Sequence, residues 1–325
     1  MGPNSESPLS WRDPLAAKEL IVGVAATLIF FLSIVTIPVF GILVGIFTPL
    51  PTLLVYCRWG GPWAFWVPGG AAVLGSMLLV YLNLLQSLPY LLEMLLLGSL
   101  LGVGMRRNWS LERTVCAAGS IVFAVGALVY WLVIGDPSGS PGAQVERDLR
   151  ETLALILQQY GTASPDKQMV EEAFEKILPL LAKLLPGAAL SSTLMACWLN
   201  LVVAKRYFRL RQLPMPDWPE WAQWKAPDFL VWTVIAGGVA LLLPFGSLKI
   251  AGLNVLMVTG VIYLLQGLAI IGFYFERWKL PRLVRMVLYV VILVQQFFTL
   301  GAMLMGLFDI WVDFRRLSRA TTADH

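Results

Sequence analysis

The chain reads as an all-α, polytopic membrane protein, a transmembrane helix bundle of about eight or nine spans with an outer amphipathic helical segment. Three observations predict it. Of the 325 residues, 58% are hydrophobic and 14% charged, against about 45–50% and about 25% in soluble domains. The mean hydropathy is +0.74. Apolar runs of the length that crosses a hydrocarbon core of about 30 Å recur along the sequence. These values exclude a soluble globule, a disordered chain and a fibrous repeat.

Residues 20–55 hold two spans divided near Pro38. Further spans are expected at 63–82, 90–105, 114–134, 187–204, 229–243, 253–274 and 284–307. Glu6, Asp13 and Glu19 accompany Arg12 and Lys18, and the first apolar run exceeds a signal-peptide core, so the first span is expected to remain in the mature chain. Three blocks follow: an N-terminal transmembrane block (1–134, spans one to five), an outer loop with amphipathic helices (135–176), and a C-terminal block (177–325, spans six to nine and a basic tail). In the middle block, Val145, Leu149, Leu153, Ile156 and Tyr160 recur at helical spacing. A second such run, Met169, Val170, Ala173, Phe174 and Ile177, leads into span six. Both helices are expected flat on the outer surface or packed over the bundle. No internal repeat is present, so an inverted-repeat transporter is not supported.

The basic residues set the orientation. With the N-terminus in the cytoplasm, the inward junctions carry Arg106, Arg107 and Arg113, then Lys205 to Lys225, then Arg277, Lys279, Arg282 and Arg285. The outer 136–176 segment holds eight acids and four bases. Nine spans, however, place Arg315, Arg316 and Arg319 outside. Either the last span bends back as a re-entrant segment, with Gly301 and Gly306 as bend points, or one span does not cross.

The chemistry-bearing residues are few. The one histidine, His325, ends the chain, and Cys57, Cys116 and Cys197 are far apart. No metal site and no cofactor are expected. No nucleophile–base pair or phosphate-cradling loop is present, so the chain is not expected to be an enzyme. A net charge of +4 gives no reason to expect nucleic acid. Glu93 is the one carboxylate inside a confident span. A buried acid in lipid faces the bundle or a cavity, so Glu93 reads as a proton, cation or ligand site, or as an acid reaching interfacial water. Asn200, Asn254 and Gln266 are span amides whose default role is helix adhesion. Asn200 and Gln266 lie deepest and are the first choices as cavity-lining residues, so the candidate ligand set is Glu93, Asn200, Gln266 and Asn254. Asp309 and Asp313 lie on one helical face near Arg315 and Arg316, and Asp–Arg pairing is expected over cation binding. Gly98 and Gly102 form a small-residue face suited to close helix contact, including self-association. Trp218, Trp221, Trp224 and Trp232 read as an interfacial belt, with helix beginning at Pro227. Pro49 and Pro51 break the FTPLP segment, read either as an unwound cavity lining or as a surface kink.

Several stretches together resemble the YybS-like bacterial membrane proteins. These are FTPLP (47–51) with Gly60–Gly61; Trp221, Trp224 and Pro227 with Val231–Trp232; Asn254 through Gln266–Gly267–Leu268–Ala269 to Tyr274; and GLFDIWVDFRRL (306–317). That family is a domain of unknown function. Its N-terminal layout is similar to the six-span substrate-binding membrane subunits of energy-coupling-factor transporters. The resemblance implies a multi-pass protein of the bacterial cytoplasmic (inner) membrane; with Glu93, Asn200, Gln266 and the FTPLP patch it favours a small-molecule binding or transport subunit, while the absence of a nucleotide-binding motif, the basic inner loops and the acidic outer segment favour a non-transporting scaffold. The partners it implies are the lipid bilayer, a small-molecule ligand, and a separate ATPase or an envelope or signalling protein.

Overall fold

The computed structural model describes residues 14–60, 64–134, 141–159 and 166–316. Among them twelve α-helices follow in order: α1 (Pro14–Thr36), α2 (Pro38–Gly45), α3 (Pro49–Trp59), α4 (Trp66–Tyr81), α5 (Leu88–Arg106), α6 (Leu111–Val129), α7 (Pro141–Gln159), α8 (Asp166–Leu210), α9 (Leu230–Leu242), α10 (Gly246–Arg277), α11 (Arg282–Val294) and α12 (Gln296–Val312). No strand occurs among the described residues.

Five stretches are long and apolar enough to cross a bilayer: Ala17–Ile34, Leu85–Arg106, Leu111–Leu132, Glu171–Leu210 and Gly246–Arg277. A sixth arises if α11 and α12, bent by 98°, count as one. The expected eight or nine are thus reduced to five or six, for a geometric reason. Helices α4 and α9 have 16 and 13 residues, about 24 and 20 Å at 1.5 Å per residue, short of a core of about 30 Å. Apolar composition marked them as spans; length does not.

The chain divides into two compact units, one of residues 1–132 and 193–218, the other of 133–192 and 219–325. Helix α8 contributes to both.

In the first unit α1 packs on α2, α3 and α4, and α5 on α3, α4 and α6. Phe31, Ala71, Leu79, Leu91 and Leu95 form a buried cluster with Val24 and Leu28 against it. Helices α3 and α5 meet through glycine. A Cβ on Gly98 would run into the Pro49 carbonyl, and one on Gly102 would come 2.7 Å from Tyr56 Cβ. The Gly98–Gly102 face is therefore filled by α3 of the same chain, which is the close helix contact the spacing predicts, made internally. At the open end of α1, Glu19 pairs with Arg58 and accepts from Trp59 Nε1 at 2.9 Å.

In the second unit α7 is helical where the amphipathic spacing places it, with Tyr160 outside the described residues. The second amphipathic run is the start of α8, which continues without interruption into the apolar stretch. Arg150 of α7 donates from Nε and Nη2 to the two carboxylate oxygens of Glu175 at 2.7 and 2.8 Å. Helix α10 is flanked by α9 and α12. The α10–α12 contact again needs glycine: a Cβ on Gly267 would overlap the Ala302 carbonyl, and one on Gly306 the Tyr263 carbonyl.

Helix α12 runs beside α10 in the same direction. Met303 lies against Gly260, Gly306 against Tyr263, Asp309 against Gln266, and Phe314 against Tyr274. The ninth apolar run is therefore not one straight span. Helix α11 leaves the turn after α10, and α12 comes back to the same end. Sequence pointed to Gly301 and Gly306 as bend points; the bend is instead at Gln295, which is extended (φ −90°, ψ 111°). Thr299 makes that break tolerable: its hydroxyl donates to the Ile292 carbonyl at 2.6 Å, replacing a helical donor. Arg315 and Arg316 accordingly sit at the end of α10 that carries Arg277, which removes the conflict in the charge pattern.

Candidate functional site

The four residues singled out in the sequence fall two in each unit. In the first, Glu93 of α5 is half-buried, and its Oε1 lies 2.8 Å from where a Cβ on Gly126 would stand. The carboxylate packs on the bare backbone of α6. Among the described residues no hydrogen-bond donor reaches it.

Asn200, fully buried on α8, answers the break before α3. Pro49 and Pro51 bring no N–H, so the turn's carbonyls need other donors. Thr48 donates to Gly45 O from its N–H (2.9 Å) and its hydroxyl (2.6 Å). Leu50 N turns to Phe47 O at 2.9 Å, which leaves Ile46 O without its helical donor. Asn200 Nδ2 supplies one at 2.8 Å while also donating to Ala196 O at 2.8 Å. The FTPLP segment is therefore a sealed joint. Asn200 Oδ1 is buried with no partner among the described residues.

In the second unit Asn254 does comparable work on α8. Pro186 sits inside the helix without breaking it and removes one N–H donor, and the neighbouring rung is that of Lys183 O and Gly187 N. Asn254 takes both ends: Oδ1 accepts from Gly187 N at 2.6 Å, and Nδ2 donates to Lys183 O at 3.0 Å. A Cβ at Gly187 would stand 2.9 Å from Asn254 Cα, so glycine is what lets α10 approach.

Gln266 is fully buried and belongs to a larger network. Its Oε1 accepts from Ala226 N at 3.2 Å, and its Nε2 donates to Asp309 Oδ2 at 3.0 Å. Asp309 also accepts from Arg315 Nη2 (2.8 Å) and Phe314 N (3.0 Å). Arg315 Nη1 then donates to the carbonyls of Ala222 and Trp224 at 2.8 and 2.9 Å. Asp–Arg pairing was expected along one helix. It is made instead across the left-handed cap at Asp313 (φ 45°), because that turn swings Arg315 back over the end of α12. The buried carboxylate and guanidinium pair with each other and take added hydrogen bonds, as such a pair in an apolar interior requires, with Arg315 Nε alone left without a partner among the described residues. Three stretches far apart in sequence, all of them carriers of the family resemblance, meet at this one point.

The tryptophan belt is only partly interfacial. Trp218 and Trp224 are each 7% exposed, whereas Trp232 is 69% exposed. In the first unit Trp218 Nε1 donates to Trp109 O at 2.9 Å, and its carbonyl accepts from buried Lys205 Nζ at 3.0 Å. In the second, Arg315 and Gln266 hold the Ala222–Ala226 segment, a 3₁₀ turn at Trp221–Gln223 followed by extended Trp224, and α9 starts at Leu230 and not at Pro227.

An open apolar cavity, of about 420 Å³, lies in the elbow formed by α10, α11 and α12. Tyr274, Phe275 and Trp278 line it at the end of α10, Leu288 and Ile292 on α11, and Phe297, Phe298, Gly301, Ala302 and Met305 on α12. A Cβ on Gly301, which lines it, would meet nothing within 4 Å. Sequence reading missed this site because its residues look like ordinary lipid-facing hydrophobes. Its signal was the polar Gln295–Gln296–Thr299 cluster inside an apolar run.

Two comparisons return nothing: no curated protein and no solved structure matches the chain. A family model described as a predicted membrane protein family of unknown function, DUF2232, matches residues 25–310. The chain belongs to that family and is a membrane protein with several apolar helices.

Proposed function

We propose that this DUF2232 protein is a small-molecule-binding subunit of the bacterial inner membrane, and that its ligand seats an apolar moiety in the α10–α12 elbow. The cavity carries this reading. It has the size and aromatic lining of small-ligand sites, and it sits at a helix break, where membrane proteins accept non-helical backbone beside a cavity. The likeness to YybS-like proteins and to energy-coupling-factor subunits agrees with this role. In that setting a separate ATPase supplies energy, since the chain has no phosphate-cradling loop, and the protein itself performs no covalent chemistry.

Glu93, Asn200 and Asn254 then shape the fold, and Gln266 steadies α12 behind the cavity. The second reading is a non-transporting scaffold for envelope or signalling partners. It is favoured by the engagement of all three amides in contacts within the chain.

Native mass spectrometry of the protein extracted in mild detergent separates the two. A stoichiometric small-molecule adduct on the wild type, absent from Gly301→Phe at equal thermal stability, supports binding. No adduct on either, with a stoichiometric protein partner recovered by crosslinking, overturns it in favour of the scaffold.

A further inference from the structure

We infer that the elbow is an anionic phospholipid site, with an acyl chain in the α10–α12 cavity and the phosphate headgroup on the α10–α11 turn. This rests on the binding role proposed above and adds the ligand's chemical class.

The turn is unusually basic for its length. Arg277, Lys279, Arg282 and Arg285 fall within nine positions that hold no acid, with Glu276 just before them. Arg285 Nε is tied to Leu280 O at 2.8 Å. Arg277, Lys279 and Arg282 are exposed and carry no ion pair or hydrogen bond from their side chains among the described residues. Cationic groups free at a membrane surface attract anionic headgroups, and guanidinium and ammonium groups are the usual phosphate binders.

The cavity extends to that same turn. Tyr274 and Trp278 line it and are the last aromatic residues of α10 and its cap, the position aromatic side chains take at a headgroup boundary. Away from them the lining is Leu288, Ile292, Phe297, Phe298 and Met305, with no charged side chain. Charge at one end and a hydrocarbon lining leading inward match a phospholipid in both chemistry and direction. Exposed Arg316 lies near the patch, because Tyr274 Oη donates to the neighbouring Phe314 carbonyl at 3.0 Å. A free phosphate or other soluble anion would use the turn and leave the cavity empty.

The test reconstitutes the full-length protein in nanodiscs of phosphatidylcholine and phosphatidylglycerol in equal parts, and identifies retained lipids by native mass spectrometry. The wild type is expected to retain phosphatidylglycerol roughly tenfold or more over phosphatidylcholine. Neutralising the three charges together should remove that preference, so Arg277→Gln/Lys279→Gln/Arg282→Gln falls to parity while still holding lipid. Arg277→Lys/Arg282→Lys should keep the preference. Gly301→Phe should lose both lipids at an unchanged melting temperature. Equal retention of the two lipids by the wild type, or a preference that survives the triple substitution, overturns the headgroup assignment and leaves the cavity reading standing. Identical lipid retention by the wild type and Gly301→Phe overturns the cavity reading itself.

Discussion

Two breaks in two helices are handled in opposite ways. The break before α3 is closed: Thr48 and Asn200 meet the carbonyls that two prolines leave behind, and Gly98 of α5 packs directly on Pro49. The break at Gln295 contains no proline. Thr299 covers one carbonyl, the helices diverge by 98°, and an apolar cavity of about 420 Å³ remains. A proline in an apolar run is thus no guide to open space. In hydrocarbon a bared carbonyl must be covered. If a neighbouring helix brings the donor, the break becomes a joint; if a local side chain brings it, the flanking helices can part.

The largest effect is expected behind the elbow. Asp309→Ala leaves Arg315 buried and unpaired, which costs about 3–5 kcal/mol. Thermal unfolding in detergent should show a large drop, together with faster proteolysis in the 219–227 segment that Arg315 holds. Unchanged stability would mean that α12 is not anchored through this network. At the sealed joint, Asn200→Leu preserves volume and strips the donor from Ile46 O, for about 1–2 kcal/mol. Gly187→Ala presses a methyl group onto Asn254 and should cost a similar amount, about 1–3 kcal/mol. A double-mutant cycle with Asn254→Leu should show strong coupling, since both disturb one contact. Gly301→Phe sharpens the contrast from the other side. It should leave the melting temperature of the lipid-free protein unchanged while abolishing lipid retention. Smallest of all is Arg150→Ala: the exposed pair with Glu175 should contribute nothing measurable to unfolding, whatever its geometry.

The sequence was informative wherever one segment decides its own state. The apolar runs, the amphipathic spacing of α7 and the unbroken passage of the second amphipathic run into α8 all appear as helices. The misplaced Arg315 and Arg316 marked the run that is bent, because basic residues at both ends, Arg277 to Arg285 and Arg315 to Arg316, run against the positive-inside bias for one straight span. Side-chain partners were not readable in the same way. Asn200, Asn254 and Gln266 look alike in sequence, yet one donates to a proline joint, one bridges a helical rung and one supports a buried ion pair. Likewise Trp218 and Trp232 share a composition-based expectation, and only the first is buried.

By itself, then, the sequence determined that this chain is a helical membrane protein and where most of its helices lie, because oily composition and periodicity act locally. Which helices are long enough to cross, where the last run turns, and which glycines admit a neighbouring backbone were decided only by packing. Each of those depends on a second segment arriving within a few ångströms, and nothing in a linear order of residues encodes which segment that will be.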